Sequence, residues 1–275
     1  LRPLAELDTR VIVNLNLQTI SLDEFLSLHT RVSEMIRPFD SDLKIARRKA
    51  WLWAFSMQVV YGLRIHEVFA IENLTASYKT KDGVIIPPLE SQDNFLNLIV
   101  IADSTKFGTT TKTGYRIARP LIPPSHPDLI ERLNIKTIRI PDIKIDGGND
   151  RNVVGTISRR ARERLIDWEA PVTQTHAFRH LANISGMTAG ISQEVRAQSL
   201  GHSTEMNEYV YKNRQATQTT INMLTRSNRE PQGLSLALET SKRILGEYPE
   251  GYTSAVKILA AIYQEQESTI ANLLD

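Results

Sequence analysis

The segment Ala50 to Leu63, Ala-Trp-Leu-Trp-Ala-Phe-Ser-Met-Gln-Val-Val-Tyr-Gly-Leu, constrains the fold more than any other. Drawn as a helix it is apolar almost all round, and such a helix has to be enclosed by other elements on every side. It is shorter than the roughly 20 residues a membrane span needs and is interrupted by Ser56 and Gln58, so the enclosure is protein, not lipid. The helix is predicted from about Leu43 to Tyr61 with Gly62 as its stop, and the chain is expected to restart as helix over Leu63 to Ile71. With 275 residues and 41% apolar content the chain can supply the surrounding layer.

Flanking patterns fill in that layer. Ser21 with Glu24 three residues on predicts a capping-box start for a helix to about Ile36, apolar at Phe25, Leu26, Leu28, Val32 and Ile36 and stopped by Pro38. Leu96 to Ala102 and Tyr115 to Leu121 predict a β-hairpin with a long polar tip. Helices are predicted for Arg151 to Asp167, His176 to Ala189, Gln193 to Leu200, Thr204 to Tyr211 and Ala216 to Thr225. The class is α+β, mainly helical with a small antiparallel β-sheet. Ser227 to Gly233 reads as a linker, and helices over Leu234 to Leu245 and Tyr252 to Leu274 follow it. This gives an N-terminal linker segment at 1–20, a main domain at 21–226 and a C-terminal helical extension at 227–275.

Charge and cysteine content limit the chemistry. There is no cysteine, which removes disulfides, thiolate metal sites and cysteine nucleophiles and fits a reducing compartment. With no signal-peptide pattern, a cytoplasmic location is expected, and Leu1 at the start suggests that sequence lies upstream. The net charge is +2, yet residues 101–214 carry 17 basic and 12 acidic side chains, including the Arg159, Arg160, Arg162, Arg164 cluster. A basic middle suits a polyanionic partner such as DNA, and equally a solvated mixed-charge face.

Four separated segments concentrate reactive residue types: Tyr61-Gly62-Leu63-Arg64-Ile65-His66-Glu67, the hairpin run from Thr111-Lys112-Thr113-Gly114, Thr175-His176-Ala177-Phe178-Arg179-His180, and Leu200-Gly201-His202 with Tyr211 beyond. Each has an ordinary explanation alone. Arg64 and Glu67 could be a surface ion pair at i, i+3. His176 and His180 have the spacing of a zinc helix, but Ala177 stands where such a site has its glutamate base. Gly201-His202 could be a plain helix cap. No acidic metal cluster and no Gly-rich phosphate loop appears, so neither metal nor cofactor is expected.

Taken together and in order, these segments resemble the tyrosine recombinase (phage integrase) family, over about Ile20 to Leu224. That family's signature is an Arg in a GLR-x-x-E segment, a hairpin Lys, an H-x-x-R-H segment, an LGH segment and a downstream Tyr. Arg179 precedes His202 by 23 positions and Tyr211 follows it by 9, as in the Xer members. The resemblance implies that Arg64, Lys112, His176, Arg179, His202 and Tyr211 are catalytic, with Glu67 and His180 supporting them. It implies DNA cleavage and rejoining through a 3′-phosphotyrosyl link, in integration or excision of a mobile element of bacterial or phage origin. Its partners are double-stranded DNA and other copies of the chain in a synaptic tetramer. Two alternatives stay open: a non-catalytic DNA-binding relative, and type IB topoisomerase-like relaxation. The family's helical clamp domain is expected upstream, and the C-terminal extension could pack in cis or on a neighbouring protomer.

Overall fold

The computed structural model describes residues 18–145 and 149–202, together with 241, 242, 245, 252–263, 271 and 274. The chain divides into two compact units, Leu1–Asn213 and Arg214–Asp275. The boundary expected after Arg226, the linker beyond it and the helices expected over Thr204 to Tyr211 and Ala216 to Thr225 lie outside the described residues, as does nearly all of that over Leu234 to Leu245.

In the first unit, helix α1 (Leu22–Ser33) opens on the expected capping box: Ser21 Oγ accepts from the Glu24 amide, while Glu24 Oε2 accepts from the Ser21 amide at 2.8 Å. It ends at Ser33, before Pro38 is reached, because the chain turns where the Arg37 amide bonds Asp40 Oδ2. Ile36, expected on the apolar face, is therefore 86% exposed.

Helix α2 (Asp42–Tyr61) is the enclosed element the sequence demanded, and every residue from Ala50 to Tyr61 is buried. Of its two polar interruptions, Ser56 donates to the Leu52 carbonyl and Gln58 Nε2 to the Leu63 carbonyl, while Gln58 Oε1 is buried with no hydrogen-bond partner among the described residues. Phe55 contacts Phe178 and Trp168 at ring separations of 5.4 and 5.7 Å, and Phe25 meets Phe178 at 5.3 Å. These rings join α1, α2 and the helix His176–Thr188 into one core with Trp168, which closes the helix Asp150–Asp167.

The restart after Gly62 is a short 3-10 helix, Ile65–Ala70, where a longer helix over Leu63 to Ile71 was expected. Arg64 is extended, with ψ at 151°, and Ile71 bridges Ile101 of the sheet, so only about two tight turns fit between them. All six residues are buried, Glu67 among them.

The sheet content is two separate antiparallel pairs where a single sheet was expected. A small hairpin, β1 (Tyr78–Lys79) with β2 (Ile85–Ile86), was not anticipated. Strands β3 (Ile99–Ile101) and β4 (Arg116–Ala118) form the expected hairpin in the register Ile99 to Ala118, Val100 to Ile117 and Ile101 to Arg116. They are shorter than the apolar runs suggested because the buried Asn73 side chain takes ladder positions, accepting from the Val100 amide and donating to the Leu98 carbonyl. The long tip folds back through a Ser104 to Thr110 bridge, and Thr110 is tied to the Asp150 carboxylate at 2.6 Å.

A single turn, α3 (Leu129–Arg132), leads to α4 (Asp150–Asp167), capped by Asn149 and buried along Val153, Ile157, Ala161 and Leu165 at every fourth residue. Its Arg159, Arg160 and Arg162 stand on the exposed side. Helix α5 (His176–Thr188) packs on α2, and α6 (Gln193–Leu200) packs on α5 and β4. No described helix is long and apolar enough to cross a membrane.

In the second unit, helix α7 (Tyr252–Tyr263) buries Val256 and Leu259 with Leu274. The Tyr252 hydroxyl donates to the Ala271 carbonyl at 3.1 Å. In one straight helix those residues would lie about 28 Å apart, so the single helix expected from Tyr252 to Leu274 is corrected.

Gly62 ends α2 at φ +67°, and a Cβ there would lie 2.2 Å from Leu200 Cδ2. Gly62→Ala therefore combines left-handed strain with overpacking and should cost about 2 to 4 kcal/mol in urea unfolding. Gly83→Ala is the control, because its φ is +87° but nothing lies within 4 Å of its Cβ. Equal losses in the two variants would show that the Leu200 contact contributes nothing.

Candidate active site

An apolar segment folded as tightly as Ile65–Ala70 can bury a carboxylate only where cations meet it. Glu67 has a fully buried side chain, and three guanidiniums surround it. Arg64 Nη1 lies 3.0 Å from Oε1, Arg116 Nη2 2.8 Å from Oε2 and Arg179 Nη1 3.7 Å from Oε2. The carboxylate also accepts from the Arg64 amide at 2.8 Å and the Thr113 hydroxyl at 3.0 Å. Burial pushes the Glu67 carboxyl up, but Arg116, Arg179 and Arg64 more than offset it and hold it at about 2.

Arg179 reaches this locus from the first turn of α5 and is wholly buried. It donates through Nη1 to the Gly62 carbonyl, and through Nη2 to the Leu200 carbonyl and to His202 Nε2, the last at 2.7 Å. One side chain thus fastens the end of α2 to the end of α6. A guanidinium can only donate, so His202 Nε2 is the acceptor and the ring hydrogen sits on Nδ1. Burial first, and then Arg179, Arg64 and His176, hold His202 down at about 3, against a smaller opposing pull from Glu67. His202 is therefore a neutral imidazole at physiological pH.

The hairpin joins through Thr113. Gly201, at φ +68°, lets the Thr113 side chain close on it, since a Cβ there would lie 2.6 Å from Thr113 Cβ. Thr113 accepts from Arg116 Nη1, and Arg116 Nε donates to the Ser199 carbonyl at 3.0 Å. Lys112 is exposed in the turn that the Gly114 amide closes on the Thr111 carbonyl, one residue from this contact.

The structure thus brings Arg64, Glu67, Arg179 and His202 into one cluster, with the Lys112 turn seated against it through Thr113. His176 is exposed at the start of α5 and close enough for its charge to act on His202. His180 is buried on the same helix. Tyr211 lies outside the described residues. Among the described residues no group of three or more side chains could hold a metal ion.

Arg116 is the residue of this cluster that the sequence did not single out. The alternation over Tyr115 to Leu121 marks a strand but does not say which face is inside, and the strand buries Arg116 and Ala118 and leaves Tyr115 exposed. The signal that could have found Arg116 is Glu67 itself, an acid inside an apolar run that requires counter-charge.

No protein-family model matches the chain, and neither the curated proteins nor the solved structures contain a match to it.

Acid should weaken the fold. The folded state holds His202 at about 3 and His29 at about 4, in the latter by burial and then Arg132, both below the ordinary 6.5. Unfolding therefore takes up protons as pH drops below about 6.5, and stability present above that pH is lost on the way down, with the Glu67 contribution following below about 4.5. The urea midpoint should fall between pH 7.5 and pH 5, less steeply in His29→Gln. A midpoint that holds or rises over that interval contradicts the assignment.

Proposed function

We propose that this chain carries the catalytic domain of a tyrosine site-specific recombinase, which cleaves and rejoins double-stranded DNA through a 3′-phosphotyrosyl link formed by Tyr211. The observation that carries the reading is the cluster on Glu67: Arg64, Arg179 and, through Arg179, His202 come from three distant segments to one locus. An isolated surface ion pair or helix cap does not require such convergence.

The residue types meet the demands of the reaction. A tyrosine of pKa near 10 is only about one part in a thousand ionised at neutral pH, and its target phosphate is already anionic. Arg64, the least buried of the guanidiniums on Glu67, binds a non-bridging phosphate oxygen, and Arg179 adds positive potential from beneath. His176 accepts the tyrosine proton, and neutral His202 holds the Arg179 guanidinium in place by accepting from it. The Tyr211 oxygen–phosphorus bond forms as the bond to the 5′ oxygen breaks, and Lys112 protonates that oxygen. The reverse attack by a 5′ hydroxyl restores the phosphodiester, so resealing needs no added energy source. Glu67 and His180 act on these groups from behind, Glu67 by orienting Arg64 and Arg179. The tyrosine recombinase-like core, DNA as substrate, assembly with other copies on DNA and a cytoplasmic, bacterial or phage setting belong to the same proposal.

The test is capture on a pool of suicide duplexes, nicked near a randomised core so that cleavage releases a short fragment and cannot be reversed. The full chain should yield an adduct resistant to SDS whose DNA shares a sequence. Binding without any adduct would make the chain a non-catalytic DNA-binding relative, and relaxation of supercoils without strand exchange would make it topoisomerase-like. Either result overturns the proposal.

Lys112 is the proton donor to test against Lys106. The ammonium of Lys106 stands 5.1 Å over the Phe69 ring and 5.2 Å over Phe107, so it is committed to packing the hairpin tip against the 3-10 helix. Lys112→Ala should slow cleavage by about 10² or more. It should be largely rescued by a 5′-bridging phosphorothiolate, whose sulfur leaves without a proton. Rescue of Lys106→Ala alone would reverse the choice.

A further inference from the structure

A cavity of about 550 Å³ opens at the opposite end of α2 from the cluster, between the start of that helix, the 142–144 loop and the last turns of α4. Its size falls within the usual range for small-ligand sites. Trp51, on its wall, is 11 residues from Gly62, so the pocket and the catalytic cluster are separated by about 16 Å of helix or more.

The lining is strongly cationic, with seven Lys and Arg against three Asp. Two of the carboxylates are already engaged: Asp167 by Arg37 through two oxygens at 2.9 and 3.0 Å, and Asp40 by Arg48 at 2.6 Å. Arg48 is 8% exposed and also donates to the Met35 carbonyl, so this wall is a built structure and not a chance meeting of surface chains. Arg160 is shared with Glu163 outside the pocket, and Lys44 donates to the Phe39 carbonyl. Arg47, Lys144 and Arg164 make no ion pair among the described residues, and Asp142 alone is left to oppose them. The buried indoles of Trp51 and Trp168 back the site and keep water from one side, which strengthens attraction to an anion.

We propose that this pocket binds a small oligophosphate, an anion with two or more linked phosphates, separately from the catalytic cluster. Guanidinium forks match phosphate oxygens in pairs, and linked phosphates offer several such pairs within one compact ligand. The local charge excess calls for several negative charges on one ligand, and a concave site admits a compact anion where the backbone of a rigid duplex cannot enter. The proposal goes beyond the recombinase reading and does not depend on it.

The test uses the full chain with inorganic tripolyphosphate as probe and tryptophan fluorescence as readout. Two of the three tryptophans line the pocket, and Trp53 reports from elsewhere, bonded to the Ile135 carbonyl. Tripolyphosphate should bind at one site, and Arg47→Ala with Arg164→Ala should weaken it roughly tenfold or more. Arg64→Ala should leave it unchanged. Arg47 is exposed, so Arg47→Gln alone keeps the test open if the double variant unfolds, and it should also weaken binding. Unchanged affinity in the pocket variants, loss only in Arg64→Ala, citrate binding as tightly, or displacement by a short DNA duplex through the same arginines would each overturn the proposal.

Discussion

Glu67→Ala should cost about 3 to 5 kcal/mol of unfolding free energy, the largest loss expected from any single change in this fold. The reason is asymmetry of charge. One buried carboxylate serves Arg64, Arg116 and Arg179, and removing it leaves three cations crowded with no counter-charge, two of them almost fully buried. It also strips an acceptor from Thr113 and from the Arg64 amide. Glu67→Gln keeps the shape and loses the charge, so it should be damaging but milder. Urea unfolding at pH 7.5 measures both, and a loss under about 1 kcal/mol for Glu67→Ala would mean that the cluster is no keystone. A double variant with Arg116→Met separates charge from shape: removing one of the orphaned cations should recover part of the loss, a coupling that independent sites do not have.

The same cluster marks where sequence reading succeeds and where it stops. Helix α2 was legible because a run apolar on every side has one stable fate, and α1 because Ser21 and Glu24 specify a start with local bonds alone. The 3-10 helix was not, since its length is set by Ile71 meeting Ile101, a contact 30 positions away that no local pattern encodes. Arg116 was not singled out for a related reason. Period-two alternation names two faces and cannot say which is inside when a buried acid elsewhere demands a guanidinium. Of the candidate residues, Arg64, Glu67, Arg179 and His202 were recoverable as an ordered set of segments. Their convergence on one carboxylate was not, because it depends on Gly62 and Gly201 letting α2, α6 and the hairpin close together.

Tyr211→Phe should abolish covalent DNA adducts and leave DNA binding intact, because it removes one oxygen and no charge. Tyr209 is the competing nucleophile two positions earlier. Two helical positions differ by about 200°, so at most one of the two hydroxyls can face a given phosphate. The spacing from His202 favours Tyr211, and neither residue lies among those the structure describes. Tyr209→Phe should accordingly cleave the captured suicide duplexes as the wild type does. Arg64→Ala provides the contrast that distinguishes nucleophile from electrostatic support, since it keeps the hydroxyl and loses the cation: adducts should form slowly where Tyr211→Phe forms none. Peptide mapping of a trapped adduct gives the decisive reading, and a phosphotyrosine at 209, or adducts that persist in Tyr211→Phe, would remove Tyr211 from the mechanism while leaving the Glu67 cluster as the phosphate-binding element to be explained.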